Sequence, residues 1–536
     1  MTVAQYLSTP AWRELVPEFV LGRPNMVWRE RPRHVLDLLE LSVGQPDHDL
    51  MVHGDRRISF DVFRNSVDSG AAELARLGVR AEDRVLIVLY NCTESLLAQW
   101  ASWRVGAVPV LGNRWWSERE LSEVIDRVNP RLVVTDMPLP ATSTGALKRI
   151  TPELLSTWWT LPAPDVDVRV DRDAVDEDAV ALIVFTAGST GVPKGVQQSH
   201  RNLVWTQQTI HIMRGGRPSA PTSPAAQKVT LMTTPMFHNG GVVSGLTALL
   251  DGNRIVIPRG RFNAEEVLNL IQKERVTSWQ AVPTMFNRMM RHPDFARYDL
   301  SSLVGPSTGG TVVTKQLSDE IRKKLPHAAN TFATGYGMTE MSYLTMASSA
   351  MIDQKPGTVG KPIPGVELKI DKPDKSGEGE ILGRAGILMV GYFKSDEQPI
   401  DAEGWYHTGD LGRIDQDGFV YVTGRLKDMV IRGGENISCP HVEFALLAHP
   451  DVLEVAVVGY PDEEFGEALA AIVYPRPGAP LPEEELSTFA RSKLAYFEVP
   501  SRWIFRKEPL PVLPTGKIDK RSLSRDLAEV LASSGG

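Results

Sequence analysis

The string Phe185-Thr-Ala-Gly-Ser-Thr-Gly-Val-Pro-Lys-Gly195 follows an apolar run and gathers glycines, hydroxyl residues and one lysine within a single loop. Glycines at 188, 191 and 195 let backbone N–H groups approach a ligand closely. The hydroxyls of Thr186, Ser189 and Thr190 can donate to phosphate oxygens, and Lys194 supplies positive charge. The chemistry this suits is the holding of a polyphosphate. The order is not that of a Walker A loop, because Val192 and Pro193 separate the last loop glycine from Lys194. A Gly/Ser/Thr loop by itself is commonly a linker; this order of residues after an apolar strand is far more specific.

Further blocks with chemical content follow in order: Tyr336-Gly-Met-Thr-Glu340, Gly404-Trp-Tyr-His-Thr-Gly-Asp410, Gly424-Arg-Leu-Lys-Asp428, Gly433-Gly-Glu-Asn-Ile437 and Leu513-Pro-Thr-Gly-Lys517. Glu340 is a hard oxygen ligand suited to Mg²⁺, and the neighbouring Thr339 hydroxyl can reach an α-phosphate. Asp410 can accept both hydroxyls of a ribose, and Arg425 can donate to ribose or phosphate. Taken singly, each is equally a cap, a turn residue or a salt-bridge partner. Together with the phosphate loop they resemble the adenylate-forming superfamily of acyl-CoA synthetases, stand-alone adenylation domains and beetle luciferase, and most of all an acid:CoA ligase.

The resemblance implies that Tyr336 stacks on adenine and that the Gly309-Gly310 turn lies beside the base. It implies that Lys517 reaches both the substrate carboxylate and an α-phosphate oxygen, stabilising charge as oxygen attacks phosphorus. A carboxylic acid is then converted with ATP and Mg²⁺ to acyl-AMP and pyrophosphate, after which the thiol of coenzyme A displaces AMP. Between the two steps a domain spanning 427–536 would rotate against a domain spanning 1–426 about the hinge Lys427. The rotation removes Lys517 and brings Gly433 and Gly434 to line the pantetheine path. An alternative within the same chemistry is an acyl-AMP ligase that loads a carrier-protein thiol or activates an unusual oxyanion. A reading of another class, a nucleotide-binding protein without catalysis, is disfavoured by retention of Lys517, Glu340, Asp410 and the whole phosphate loop.

Pro235-Met-Phe-His-Asn-Gly-Gly241 matches the family block that borders the acyl site, which makes His238 a candidate gate beside the reacting carboxylate. Asn239, Gly240, Ser307, Thr308, Gly309, Thr334 and Met338 are further candidates for the acid pocket by the same resemblance. The chain departs from the usual pattern at Thr334, where Gln or Asn is common, at Ser307-Thr-Gly-Gly310, and at Arg432, which stands where a Ser often precedes the hinge glycines. The pair Trp115-Trp116 is also unusual and is read chiefly as packing, with an aromatic wall near an entrance as the lesser reading. No Asp occupies the segments where amino-acid-activating relatives bind an ammonium group. The identity of the acid, set by cavity volume, stays open among fatty, aryl and cinnamate-like acids.

These residues need elements to position them. Short apolar runs such as Val85–Tyr90, Leu132–Thr135, Val180–Phe185 and Arg254–Pro258 alternate with amphipathic stretches, which predicts an α/β fold with a large N-terminal lobe of two α/β subdomains. Frequent glycine after about residue 360 predicts hairpins and a small β-rich subdomain. A mobile, small α/β C-terminal lobe follows. The crowd of acidic residues between Pro162 and Asp178 reads as a solvated connector.

At 536 residues several cores are required. A net charge of −8 argues against nucleic acid, and no apolar run is long enough for stable membrane insertion. Two cysteines, Cys92 and Cys439, exclude a disulfide scaffold and a cysteine zinc site, so a metal must use oxygen ligands. The start lacks a secretory pattern, and a cytoplasmic enzyme is expected. Monomer and homodimer are equally compatible with the sequence.

Overall fold

The structure, a computed structural model, describes residues 10–140, 147–162, 164, 170–186, 193–216, 220–309, 313, 315–478 and 480–534. Among these, two large sheets dominate the first four hundred residues. In one, Val180–Thr186, Val108–Leu111, Arg84–Val88, Leu132–Thr135 and Lys148–Ile150 run parallel, and Lys194–Ser199 and Gly391–Tyr392 close one edge antiparallel. In the other, Ala333–Tyr336, Gly305–Gly309, Ser278–Ala281, Val229–Leu231, Arg254–Ile257 and Asp49–His53 run parallel between antiparallel edge strands.

Parallel strands buried on both faces need continuous apolar sequence, and their alternate residues feed different cores. Val85 and Ile87 of the first sheet and Met51, Ile255 and Ile257 of the second bury into one cluster with Phe63, Leu97, Leu203 and Leu246, so four helices are sandwiched between the sheets. On the outer face of the first sheet Leu86 and Val88 pack with Leu121, Val124, Ile125 and Val128. Those four are one stripe of the helix Glu118–Val128, which begins with a Ser117/Glu120 capping box and ends at Asn129 in the left-handed region. The outer face of the second sheet is covered by Val267, Ile271 and Phe286.

The glycine-rich stretch forms a four-stranded antiparallel sheet, Val366–Asp371, Gly379–Ala385, Tyr406–Ile414 and Val420–Arg425. In its last hairpin Asp415 accepts from the N–H groups of Asp417 and Phe419 while Gly418 takes φ +81°. The smaller C-terminal domain has a five-stranded sheet built on the long hairpin Val452–Asp462 and Gly466–Pro475. Helices Cys439–Leu447 and Glu483–Arg491 bury Leu446 and Leu486 with Val455 and Val457 on one face, and Lys520–Ser534 buries Leu523 and Leu527 with Ala456 and Val458 on the other.

One expectation is corrected. Glu177, inside the acidic stretch read as solvated, is only 8% exposed and bonds Arg31 at 2.8 Å and Arg201 at 2.9 Å, with Arg33 also on it. Its partners come from sequence positions 146 and 24 residues away, so a local charge count could not separate it from its solvated neighbours. No helix among the described residues is long and apolar enough to cross a membrane.

Candidate functional site

In open parallel sheets, ligands gather where the strands end at their carboxyl termini. Here those ends carry the candidate residues. Val229–Leu231 leads into Thr233–Asn239, Gly305–Gly309 ends at Gly309, Ala333–Tyr336 leads into Met338–Glu340, and Val180–Thr186 leads into the phosphate loop. Ser189, Thr190 and Gly310 lie outside the described residues. The flanking residues Thr186 and Lys194 are cross-strand partners, and the Thr186 hydroxyl donates to the Lys194 carbonyl at 3.4 Å. Lys194 Nζ reaches Glu397 at 2.5 Å and stands over the Tyr392 ring. Its charge is held by that carboxylate.

Asp410 is 2% exposed, and both of its oxygens are used. Oδ2 accepts from the Tyr336 hydroxyl at 2.7 Å and Oδ1 pairs with Arg425 Nε at 2.7 Å. The hairpin makes this unavoidable, because Asp410 and Arg425 face one another in register. Burial and the Asp410 charge push the Tyr336 phenol well above its usual range. Gly309 is opposite Gly335, and the buried Thr308 hydroxyl beside it finds no partner among the described residues. Such an orphan costs about 1–3 kcal/mol unless a ligand or water meets it.

Glu340 Oε1 accepts from the Tyr392 hydroxyl at 2.8 Å, and Tyr392 in turn meets the Tyr406 hydroxyl at 3.2 Å. Burial and Glu340 raise both phenols, so they remain donors. The carboxylate keeps a second oxygen for a cation. Among the described residues no three His, Cys, Asp or Glu side chains converge, and Glu340 is the carboxylate that would hold Mg²⁺, a hard cation that takes oxygen ligands.

Gln198 ties the two halves of the site together. Its amide donates to the Thr339 carbonyl at 2.8 Å and to Asn239 Oδ1 at 2.9 Å, and Asn239 Nδ2 donates to Ser342 at 3.4 Å. Sequence reasoning missed Gln198; the available signal was a polar pair, Gln197-Gln198, within the strand that follows the phosphate loop. His238 caps the helix Asn239–Leu250, its ring nitrogen accepting from the Gly240 N–H at 3.4 Å. Ser307 is opposite Ala333, and Thr308 opposite Thr334, which is buried. Met338 packs into the cluster around Tyr336.

The turn bearing Lys517 comes from the C-terminal domain and lies on this site. Leu513 N–H donates to the Lys517 carbonyl at 2.7 Å, and Gly516 takes φ +78°. A Cβ on Gly516 would meet Val282 at 2.7 Å and Met285 at 2.9 Å, so only glycine lets the turn rest on the helix Pro283–Met290. Thr284 donates to the Gly516 carbonyl. Burial, with the charge of Arg425, lowers Lys517 to about 8, against the opposing pull of Asp410. Burial, with the charge of Lys517, lowers His238 to about 4, leaving it a neutral imidazole at pH 7. Lys517 therefore feels the charges of the Asp410–Arg425 pair, and His238 feels that of Lys517, three groups from separate parts of the chain.

Gly433 and Gly434 are elsewhere. They form the exposed turn of the hairpin Met429–Arg432 and Glu435–Ser438, at φ +58° and +90°. Arg432 is held inside its own domain, donating to the Phe497 carbonyl at 2.9 Å and lying over Phe465. Lys427 sits in the short turn Leu426–Asp428 that joins the last hairpin of the β-rich sheet to the C-terminal sheet. Trp116 packs edge-on against Phe185, whereas Trp115 stacks on Arg261 and lines a cavity of about 260 Å³ together with Asn91, Phe237 and Pro514.

The comparisons agree with this geometry. The AMP-binding enzyme family matches residues 40–393, and its C-terminal domain family matches residues 441–517. A methyl-dioxo-octahydroindenyl-propanoyl:CoA ligase of Rhodococcus jostii is 32% identical over 88% of this chain and 94% of the relative. The mitochondrial medium-chain acyl-CoA ligase ACSF2 of Mus musculus is 30% identical over 91% and 86%. Among solved structures, ATP-bound MatB from Rhodopseudomonas palustris superposes with a TM-score of 0.80 at 25% identity, over 93% of this chain and 99% of that one. The o-succinylbenzoate CoA synthetase of Bacillus subtilis with its acyl-adenylate intermediate gives 0.75 at 27%, over 92% and 98%. The chain belongs to the AMP-binding enzyme family, as an adenylate-forming acid:CoA ligase.

Proposed function

We propose that this enzyme couples ATP to a carboxylic acid of medium size, giving acyl-AMP and pyrophosphate, and then transfers the acyl group to coenzyme A with release of AMP. The single observation that carries the residue roles is the presentation of Lys517 to the Asp410–Arg425 pair and His238. In this reading Lys517 bridges the acid carboxylate and the α-phosphate oxygen, where negative charge accumulates as the carboxylate attacks phosphorus. Asp410, steadied by Tyr336, holds the ribose, with Arg425 beside it. Thr186, Ser189, Thr190 and Lys194 hold the phosphates, with Lys194 exchanging Glu397 for a phosphate oxygen. Glu340 holds Mg²⁺, which when bound neutralises triphosphate charge. His238, neutral and beside the acid, shuts the carboxylate off from the thiol route until AMP-ester has formed.

The thioester step needs a path for pantetheine, and the turn bearing Lys517 lines the 260 Å³ cavity through Leu513, Pro514 and Gly516. A rotation of 427–536 against 1–426 about Lys427 would clear it and carry Gly433 and Gly434 inward, which their positive φ angles and exposure suit. Relatives named for a medium-chain acid and for a ketone-bearing bicyclic propanoate support an acid of comparable bulk. A cytoplasmic location is part of the proposal. The test is release of pyrophosphate and AMP from MgATP across short, medium, long-chain, benzoic and cinnamic-type acids, with and without CoA, products identified by mass. Acid-dependent AMP with acyl-CoA is the expected outcome. AMP-ester that accumulates despite CoA would redirect the second step to another acceptor.

A further inference from the structure

Three polar side chains that the mechanism does not use are linked in a row beside the acid-binding elements. Ser244 Oγ donates to Gln280 Oε1 at 2.9 Å, and Gln280 Nε2 donates to the Tyr343 hydroxyl at 2.8 Å. They come from three separate elements, and each is tied to a residue of the acid side. Ser244 is one helical turn beyond Gly240 on the helix that His238 caps. Gln280 is the register partner of Ser307. Tyr343 follows Ser342, whose hydroxyl accepts from Asn239.

All three are only partly buried, although they sit at the junction of the nine-stranded sheet with the helix packed on it. Burial nevertheless raises the Tyr343 phenol. Part of each side chain is thus left uncovered by protein atoms, next to residues of the acid side. The wall is unusual for a hydrocarbon pocket because its hydrogen-bonding capacity is not used up. Tyr343 accepts from Gln280, so its own O–H is left to donate; the Gln280 amide has a second N–H. Neither has an acceptor among the described residues. The row carries no charge, and Arg214, whose field reaches the phenol, is already paired with Asp251 at 3.1 Å. The unmet need is for a neutral oxygen acceptor, not for a second carboxylate.

We infer that Ser244, Gln280 and Tyr343 form a polar wall of the acid pocket and select acids whose tail carries a neutral oxygen acceptor, such as a ketone, over hydrocarbon acids of the same shape. The inference rests on the acid:CoA ligase reading. A methylene tail against this wall leaves buried donors without partners, and a site built to bond a substrate oxygen rejects the analogue that lacks it.

The test compares matched acids that differ by one CH₂ to C=O replacement: 3-cyclohexylpropanoic with 3-(4-oxocyclohexyl)propanoic acid, and octanoic with 7-oxooctanoic acid. The readout is kcat/KM for acid-dependent AMP release. The wild-type enzyme favours the oxo member of at least one pair by about tenfold or more. Tyr343→Phe and Gln280→Leu each lower that ratio by about tenfold while the KM for ATP stays unchanged; Ser244→Ala, one bond further from the ligand, moves it less. A purely structural role would depress both members of a pair equally and leave the ratio in place, which would overturn the inference. A wild-type preference for the hydrocarbon member of both pairs would overturn it as well. Those failures differ from a failure of the ligase reading, in which no acid of any kind elicits AMP.

Discussion

Arg288, on the helix Pro283–Met290, pairs with Glu454 of the C-terminal domain at 3.3 Å and donates from Nη2 to the carbonyl of Leu510 at 3.0 Å. Glu454 also accepts from the Leu510 N–H at 2.7 Å, so this one backbone unit is gripped on both sides. Leu510 lies just ahead of the turn that carries Lys517. The clasp therefore fixes where Lys517 stands relative to the nucleotide site, and it does so across the boundary between the two domains.

If that arrangement serves only the first step, weakening the clasp should separate the two half-reactions. Arg288→Ala removes charge-assisted bonds worth about 1.5–3 kcal/mol. Acyl-AMP formation should fall roughly tenfold or more, while transfer from presynthesised acyl-AMP to CoA is unchanged or faster. Single-turnover assays of each step decide it. An equal loss in both would show that Arg288 merely supports folding.

Lys517→Ala should produce the same split in stronger form, because it removes the charge itself and not its placement. Loss of a preorganised cation at a developing charge costs on the order of 10²–10³ in rate. The thioester step, measured from acyl-AMP, should be largely retained. Equal loss of both steps would contradict a rotation that withdraws Lys517 before the thiol arrives.

The parts of this site that were readable from sequence are those whose chemistry is contiguous. The phosphate loop, the Tyr336–Glu340 block and the turn ending at Lys517 each place several functional groups within a few residues, and the order of those blocks carried the family resemblance from which their expected roles were taken. The α/β alternation was readable because buried parallel strands must be apolar throughout. What escaped were single polar residues whose meaning comes from partners far along the chain. Gln198, Gln280 and Tyr343 look like interruptions of apolar strands or loops until the sheet brings them to Asn239, Ser244 and each other. Arg288 and Glu454 are 166 residues apart and belong to different domains. Trp115 and Trp116 are adjacent yet divide, Trp116 packed in the core against Phe185 and Trp115 lining a cavity, which neighbouring positions in a sequence do not reveal.

The lysine's environment also predicts a pH dependence. Lys517 is lowered from its ordinary 10.5 to about 8 by burial and by Arg425. Below about 8 it carries its charge; above, it is increasingly neutral. The cost of burying that charge is felt in full below about 8 and fades between there and 10.5, so raising the pH favours the closed domain arrangement while disarming it. Acyl-AMP formation should therefore decline through about pH 8, with the thioester step lacking that limb. His238, at about 4, stays neutral throughout and adds no transition above pH 5. A pH profile of pyrophosphate release that falls identically in Lys517→Ala would rule this assignment out.

Glu340 offers the sharpest separation of catalysis from folding. Its carboxylate accepts from Tyr392 at 2.8 Å, a bond that a glutamine carbonyl can also accept, so Glu340→Gln should leave the packing of Tyr392 and Tyr406 intact. The melting temperature should stay within about 1 °C of wild type, which corresponds to about 1 kcal/mol for a chain of this size. Loss of the anionic oxygen, however, weakens the hold on a hard cation. Turnover should fall on the order of a hundredfold, and the Mg²⁺ concentration for half-maximal rate should rise about tenfold. Tyr392→Phe serves as the control, since it removes the bond to Glu340 without removing its charge; it should lower the melting temperature more and the Mg²⁺ dependence less. Were the glutamine variant to lose melting temperature and activity in parallel, with an unchanged Mg²⁺ requirement, Glu340 would be a structural residue and the cation would have to be held elsewhere.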